Sequence, residues 1–384
     1  MAPAGGGALR CLDNAGVPVA WWFMYKTPGG YNFSYADPLN HASAPLTIFP
    51  RAMDDSDNPV AITRTLMALA EDPDTDGSAE SPAADDAAYV PGTRPSYFLY
   101  NDQPDEGTAS DSYGHTKGVV AAAPDAKSGV WIVHSTPHWP SASGKAKFYF
   151  PERETTYGQT FLCMSLDAAG LEAVGQQQRL TRPFVYHRTQ LFARSNATVA
   201  ATFPTLAAVL SATWDTAPSA RPLDVRVGSW PLRHTFTAFA KNKEWGSDLW
   251  EELVAPHYQD GLTVESWIRG QALGPYCPPG KPYPVVDART LYARRSNGST
   301  VSWTATRDHA KWATTQTAAV GVVCVGDINR MTTQRDRGGG AVCFANARLW
   351  RGMRASVNTS DECGGAEEQP PRLAPRAAGQ QSAA

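Results

Sequence analysis

The sequence predicts an α/β protein built from two related halves. Three observations carry that expectation. Short apolar runs are closed by turn residues, one stretch has a clear amphipathic helical pattern, and the second half repeats the order of features in the first. At 384 residues the chain can hold two domains or two fused halves. Gly (32) and Pro (30) are plentiful while only 18% of residues are charged, so loops are many and elements short.

Residues 1–10 read as a disordered low-complexity tail. "VPVAWWFMYKTP" (17–28) reads as a buried strand, ended by Pro28, Gly29 and Gly30. The acidic, Pro/Ser/Ala-rich stretch 71–96 cannot pack a core and reads as an inserted solvent loop. Strands are expected at 97–101, 117–122, 130–134 and 160–165. A helix is expected at 247–255, where Ser247 can cap the first turn and Leu249, Trp250, Leu253 and Val254 share a face. Further strands are expected at 262–270 and 320–328, and 364–384 is a second disordered tail. The halves divide as 11–190 and 191–363.

The internal echo is an ordered one. "AWWFMYK" (20–26) resembles "VESWIRG" (264–270), and each is followed by a His-x-Lys, "GHTKG" (114–118) and "DHAKW" (308–312). An apolar strand then closes in a polar turn, "VHSTPHWP" (133–140) or "VGDINRM" (325–331), and Ser135 follows Lys117 at nearly the spacing at which Asp327 follows Lys311.

Bulk properties bound the function. No apolar run is long enough to span a bilayer, and the N-terminus lacks the basic start and apolar stretch of a signal peptide. Formal net charge is −3 with the eight histidines neutral, so protonating them would turn the chain cationic and favour a polyanion in acid; a mildly acidic soluble protein fits the same number. The six cysteines form no CxxC pair, which argues against a zinc ribbon. Their even count and wide spacing favour about three disulfides in an oxidising compartment over six buried thiols. No metal site is expected: His41, His187, His234 and His257 have no ligand spacing, and Pro137 breaks any helical pairing of His134 with His138. The four Asn-x-Ser/Thr triplets, at Asn32, Asn196, Asn297 and Asn358, are read as chance occurrences, and the tryptophans as packing.

On a strand, residues two apart face the same side, so His115 projects with Lys117 and His309 with Lys311. An imidazole can be a nucleophile or a general acid/base near mildly acidic pH, and an ammonium beside it neutralises a phosphoryl oxygen. Two such pairs facing each other supply both roles of a two-step phosphodiester cleavage, with the lysines providing the charge stabilisation that a metal would otherwise provide. Taken singly, each pair is more readily a chance occurrence of two fixed positions; it is the matched settings that give them weight.

The motifs "YKTPGGYNFSYAD", "YNDQP", "GHTKGVV", "VHSTPHWP", "YGQTFLC", "FAKNKEWGSDLW", "DHAKW", "CVGDINR" and "RGGGAVC", in this order from about residue 11 to 363, resemble deoxyribonuclease II. The resemblance implies an endonuclease that cuts double-stranded DNA fastest in acid, without divalent metal or cofactor, leaving 3′-phosphate and 5′-hydroxyl ends. It implies the phospholipase D-like α/β fold, two pseudo-symmetric halves each with a mixed sheet flanked by helices. Carried onto this chain, the catalytic set is His115, Lys117, His309 and Lys311, working through a phosphohistidine. His115 is read as nucleophile and His309 as general acid, with exchange of roles left open. Ser135, Asp327 and Asn329 would position phosphate or orient a histidine. The implied disulfides are Cys11–Cys163, Cys277–Cys363 and Cys324–Cys343, consistent with a secreted, extracytoplasmic or lysosome-like setting.

The chain departs from the broader phospholipase D superfamily, which has an aspartate five residues after each lysine; here Ala122 and Gln316 stand there. Whatever orients the histidines must come from elsewhere, such as Asp327. His138, in the first polar turn, either binds phosphate in acid or caps a loop. Lys241, Lys243, Arg330, Arg335 and Arg337 are candidate DNA-phosphate contacts, and "RDRGGGA" (335–341) either brings backbone amides to phosphate or is a plain turn. Rival readings are a phosphodiesterase acting on lipid headgroups or other non-DNA substrates, and a secreted DNA-binding or adhesion protein with a dead site. One chain supplies both pairs, so a homodimer is possible but not required for chemistry.

Overall fold

Alternation in the first apolar run decides the layering. In β3 (Trp21–Lys26) Trp21, Phe23 and Tyr25 face one core while Trp22 and Met24 face another, as a period of two requires. The computed structural model describes residues 8–69, 95–105, 111–123, 127–142, 148–189, 192, 197–228 and 233–363.

A ribbon of β1 (Cys11–Leu12) and β2 (Pro18–Val19) precedes β3, which pairs with β4 (Phe33–Ala36). Then come β5 (Ser96–Asn101), β6 (Lys117–Ala123), β7 (Ser128–His134) and β8 (Gln159–Asp167), an antiparallel meander in which each strand pairs with the next. A helix (Ala168–Thr181), capped by the Asp167 side chain, leads to β9 (Val185–Arg188). The hairpin β10 (Ala220–Val227) and β11 (His234–Lys241) follows. The rest of the sheet is β12 (Leu262–Glu265), β13 (Val285–Arg294), β14 (Thr300–Thr304), β15 (Trp312–Thr315), β16 (Val322–Gly326), β17 (Gly339–Ala345) and β18 (Val357–Ser360).

Apart from the β1–β2 ribbon, the strands form one mixed sheet, β14-β13-β12-β15-β16-β17-β11-β10-β8-β7-β6-β5-β9 along its main path. Its central core draws on the whole chain, from Trp21, Phe98 and Leu162 to Trp312, Val325 and Phe344. The opposite faces are covered separately, one around Trp22, Ile132 and Phe161 and the other around Trp250, Val264 and Cys324. Disulfides join Cys11 to Cys163, Cys277 to Cys363 and Cys324 to Cys343. Among the described residues no helix is long and apolar enough to cross a membrane.

Several expectations need correction. The N-terminal tail ends before residue 9: Leu9 is buried and its N–H donates to Ser128 Oγ. The acidic loop stops before Ser96, which already pairs with Ala122; its residues 71–94, like 1–7 and 364–384, lie outside the described residues. The helix at 247–255 is a π-helical turn (Trp250–Val254) running into a short α-helix (Ala255–Tyr258). Its cap is Asp248, not Ser247: the Asp248 carboxylate accepts from the N–H groups of Trp250 and Glu251. Pro256, which brings no N–H to the helical ladder, sits where the wide turn gives way to α. The expected strand 262–270 ends at Glu265, because the next residue, Ser266, uses its hydroxyl to accept from Arg330 N at 3.0 Å and the chain leaves the ladder.

Candidate active site

Each histidine is hung by its backbone from the other part of the chain. His115, just before β6, donates its N–H to Gly338 O at 2.9 Å; His309, three residues before β15, donates to Gly158 O at 2.9 Å. Gly338 and Gly158 stand immediately before β17 and β8, so the two anchors are reciprocal. Both demand glycine. A Cβ on Gly158 would fall 2.2 Å from Asp308 Oδ1, and one on Gly338 would fall 2.3 Å from Thr181 O. Asp308 itself is pinned by the Tyr25 hydroxyl, by Trp303 Nε1 at 2.6 Å and by Ala310 N at 3.0 Å, which fixes the backbone into His309.

The imidazoles are set by carbonyl oxygens. His115 Nδ1 lies 2.6 Å from Gln334 Oε1, and His309 Nδ1 lies 2.8 Å from Ser135 O. A carbonyl oxygen only accepts, so at His115 Nδ1 carries the hydrogen and Nε2 the lone pair; His309 Nδ1 faces both the Ser135 carbonyl and the Lys311 Nζ. Burial pushes both imidazoles well below their ordinary range, and the charges of Lys117 and Lys311 both push further in the same direction on each ring. His115 differs in having Asp102 as a counterweight.

The lysines are not equivalent. Lys117 forms a buried ion pair with Asp102, which Arg337 shares at 3.0 Å. Burial would raise the Asp102 carboxyl, but Lys117, with His115 and Arg337, holds it far below the usual carboxylate range. Lys311 is fully buried with its Nζ 2.6 Å from His309 O and 2.9 Å from His309 Nδ1. Among the described residues it has no carboxylate ion pair, and burial and the Lys117 charge push it well below a normal lysine. Among the described residues Asp102 is the only carboxylate in ion-pair contact with either lysine, which leaves that place at Lys311 open to an anion.

Ser135 and Asp327 take corresponding positions after β7 and β16. Ser135 N donates to Thr160 O and its Oγ accepts from Thr160 N; Asp327 N donates to Gly340 O and its Oδ1 accepts from Gly340 N. The Ser135 hydroxyl is thus spent on β8 and on Gln159 Oε1, and it is the Ser135 carbonyl that orients His309. Burial raises the Asp327 carboxyl to about 7. Asn329 is buried with its Oδ1 unpartnered. His138 sits exposed on its loop, its Nδ1 bonded to Pro104 O and its N–H to Gln103 O, which is the loop-capping geometry.

The cationic candidates separate sharply. Arg330 is not a surface cation. It is fully buried between Asp287 and Glu251 at 2.9 and 2.5 Å, because a guanidinium inside a protein needs carboxylates around it. Lys241 is also buried and donates to the carbonyls of Gln334, Arg335 and Arg337, so it builds the loop that carries Gln334 rather than reaching DNA. Lys243 and Arg335 remain substantially exposed, and Arg337 is absorbed by Asp102. In "RDRGGGA" Gly338 and Gly340 are packed against the backbone at Thr181 and Phe239 and Gly339 against the Ile328 side chain, so the run is not a loose turn.

Sequence reasoning missed Asp102, Gln334, Gly158, Gly338 and Trp267, whose ring centroid lies 4.1 Å from that of His309. Asp102 is 15 positions from its lysine and Gln334 is 219 from its histidine, so no local spacing connects them. Among the described residues no three His, Cys, Asp or Glu side chains cluster as a metal site.

Fold and site together define a paired-histidine, paired-lysine protein in which both pairs share one buried electrostatic environment. The family model described as Deoxyribonuclease II matches residues 10–363. Plancitoxin-1 of Acanthaster planci is 31% identical over 374 residues, covering 93% of this chain and 93% of that protein. Deoxyribonuclease-2 of Caenorhabditis elegans is 30% identical over 381 residues (93% and 94%), and a putative deoxyribonuclease-2 of Burkholderia thailandensis is 34% identical over 365 residues (90% and 91%). The chain belongs to the deoxyribonuclease II family.

Proposed function

We propose that this enzyme hydrolyses double-stranded DNA in acid, without a divalent metal, through a phosphohistidine intermediate. The observation that carries the reading is the reciprocal hanging of His115 from Gly338 and His309 from Gly158, with both lysine charges acting on both imidazoles. One Nε2 attacks phosphorus while the other imidazole, protonated, delivers its proton to the departing 5′-oxygen. A P–N bond forms and the P–O5′ bond breaks, freeing a 5′-hydroxyl. The second imidazole then takes a proton from water, whose oxygen breaks the P–N bond and leaves a 3′-phosphate. Lys117 and Lys311 face the charge on the phosphoryl oxygens throughout.

The environments favour His309 as nucleophile and His115 as acid, the reverse of the assignment read from the sequence. Asp102 favours the protonated form of His115, whereas among the described residues no carboxylate is a main influence on His309. Acid operation has a reason in the same facts: an imidazole held below its ordinary range must be protonated once per turnover.

The two-half, phospholipase D-like reading is supported by strand order. β5-β6-β7-β8 and β12-β15-β16-β17 are both antiparallel series, with His-x-Lys entering the second strand, Ser135 or Asp327 leaving the third, and the anchoring glycine before the fourth. Three disulfides support residence in an oxidising, extracytoplasmic compartment. The test is supercoiled plasmid in EDTA at about pH 5: nicking to products carrying 3′-phosphate is expected, and an intact plasmid would end the DNA reading.

A further inference from the structure

Beside His309 lies a surface that neither the acid–base pair nor the lysines use. Trp267, two residues beyond β12, sets its half-buried ring against the imidazole, and the Tyr157 ring lies 5.4 Å from that of Trp267. Tyr157 directly precedes Gly158, the residue that holds the His309 backbone. Over these two rings stands Arg269, its guanidinium carbon 5.0 Å from the Trp267 ring and 6.0 Å from that of Tyr157, with an Nη2 contact to the Tyr157 hydroxyl at 3.4 Å.

Arg269 differs from the other arginines near the site. Arg330 is enclosed by Asp287 and Glu251, and Arg337 is taken by Asp102. Arg269 is exposed and, among the described residues, has no carboxylate ion pair. Aromatic faces hold a guanidinium flat and leave its N–H edge pointing outward, the geometry that meets two oxygens of a phosphate at once. The site already has two ammonium groups for the reacting phosphate; a third cation, displaced onto a platform attached to His309, suits the next phosphate along the strand.

We infer that Arg269, propped on Trp267 and Tyr157, grips the DNA backbone phosphate adjacent to the scissile one, on the His309 side. The inference rests on the nuclease reading above. It makes Arg269 a substrate-binding residue that lengthens the recognised unit beyond one phosphodiester. Trp267 and Tyr157 are positioning residues for the guanidinium.

The test compares Arg269→Ala and Arg269→Lys on two substrates in EDTA at acid pH: a short duplex, and thymidine 3′-(4-nitrophenyl) phosphate, which has a single phosphate. Affinity for the duplex is read in a His115→Ala background, so that cleavage does not interfere, as a function of salt. Arg269→Ala is expected to weaken duplex binding about tenfold and to flatten the slope of log K against log salt by about 0.9, the loss of one phosphate contact. Its kcat/KM on the duplex should fall far more than that on the nitrophenyl ester. Arg269→Lys should restore the slope but only part of the affinity, because an ammonium neither stacks nor binds in bidentate fashion. An unchanged slope in Arg269→Ala, or equal losses on both substrates, would overturn the assignment, the second by showing that Arg269 acts only through His309. A wild-type enzyme that turns over the ester but neither binds nor cuts duplex would instead sink the nuclease reading, visibly before any variant is made, and Arg269 with it.

Discussion

The two His-x-Lys segments share a backbone design and differ in everything that sets charge. Both histidines hang from a glycine carbonyl at 2.9 Å and both Nδ1 atoms meet a carbonyl oxygen. Around His115, however, the oxygen belongs to the Gln334 side chain and the lysine has a carboxylate partner in Asp102. Around His309 the oxygen belongs to the Ser135 backbone, the lysine has no such partner among the described residues, and a tryptophan ring packs against the imidazole. Identical motifs can therefore divide a reaction between them, because a proton's preference is decided by neighbours rather than by the dipeptide itself.

The largest expected effect breaks the pair outright. His115→Ala and His309→Ala should each lower DNA cleavage by about a thousandfold or more, and the double variant should be little worse than either, since the groups act as a unit. A nitrophenyl ester sharpens the comparison, because its leaving group needs no acid. With it, His115→Ala should still release a burst of nitrophenol and accumulate a phosphoryl group on His309 detectable by mass spectrometry, whereas His309→Ala should do neither. A phosphoryl group trapped on His115 instead would restore the opposite assignment.

Next in size is the carboxylate that distinguishes the segments. Asp102→Asn leaves Lys117 and Arg337 without their shared partner in a buried setting, which should cost about 3 kcal/mol of stability by denaturant titration. It also removes the charge that favours protonated His115, so the alkaline limb of kcat/KM should move to lower pH. An unmoved limb would assign that limb to another group.

The anchors give a more selective contrast. Gln334→Ala takes away the oxygen that orients His115 and should reduce kcat about 10–100-fold. Ser135→Ala keeps the carbonyl that orients His309 and removes only the hydroxyl bonded to Thr160 and Gln159, so it should cost about 1–2 kcal/mol of stability with a far smaller change in kcat. Equal kcat losses would mean that the Ser135 hydroxyl reaches substrate.

The smallest effect concerns Asp327. Its folded carboxyl titrates near 7 against an ordinary 3.8, so the folded state holds the proton more tightly than the unfolded one. Stability through this group is therefore lost as pH rises between those values and stays lost above them. Asp327→Asn should flatten that part of the Tm–pH curve while leaving acid activity within a fewfold of the parent. A curve of unchanged shape would show that Asp327 is ionised in the folded protein.

Legibility of the site followed sequence distance. His115 with Lys117 and His309 with Lys311 could be read as pairs because a strand puts residues two apart on one side. Gln334 and Trp267 could not, since each reaches its histidine only after segments distant in the chain are brought together; Asp102, though 15 positions before Lys117, meets it only through the β5–β6 pairing, which no fixed spacing announces. Arg330 and Lys241 were misjudged for a related reason. In a sequence a buried cation and a solvated one look alike, and only Asp287 and Glu251, or the three carbonyls of the 334–337 loop, tell them apart.

By itself the sequence determined the strands, through apolar runs of period two closed by Gly and Pro, and the chemical kit of two imidazoles and two ammonium groups. Both are local properties, set by side-chain alternation and residue type. Tertiary structure alone decided which carbonyl faces each Nδ1, which lysine has a counter-ion and which arginines remain free. Those depend on desolvation and on Coulomb interactions between groups from 15 to 219 positions apart, which exist only once the core has closed around them.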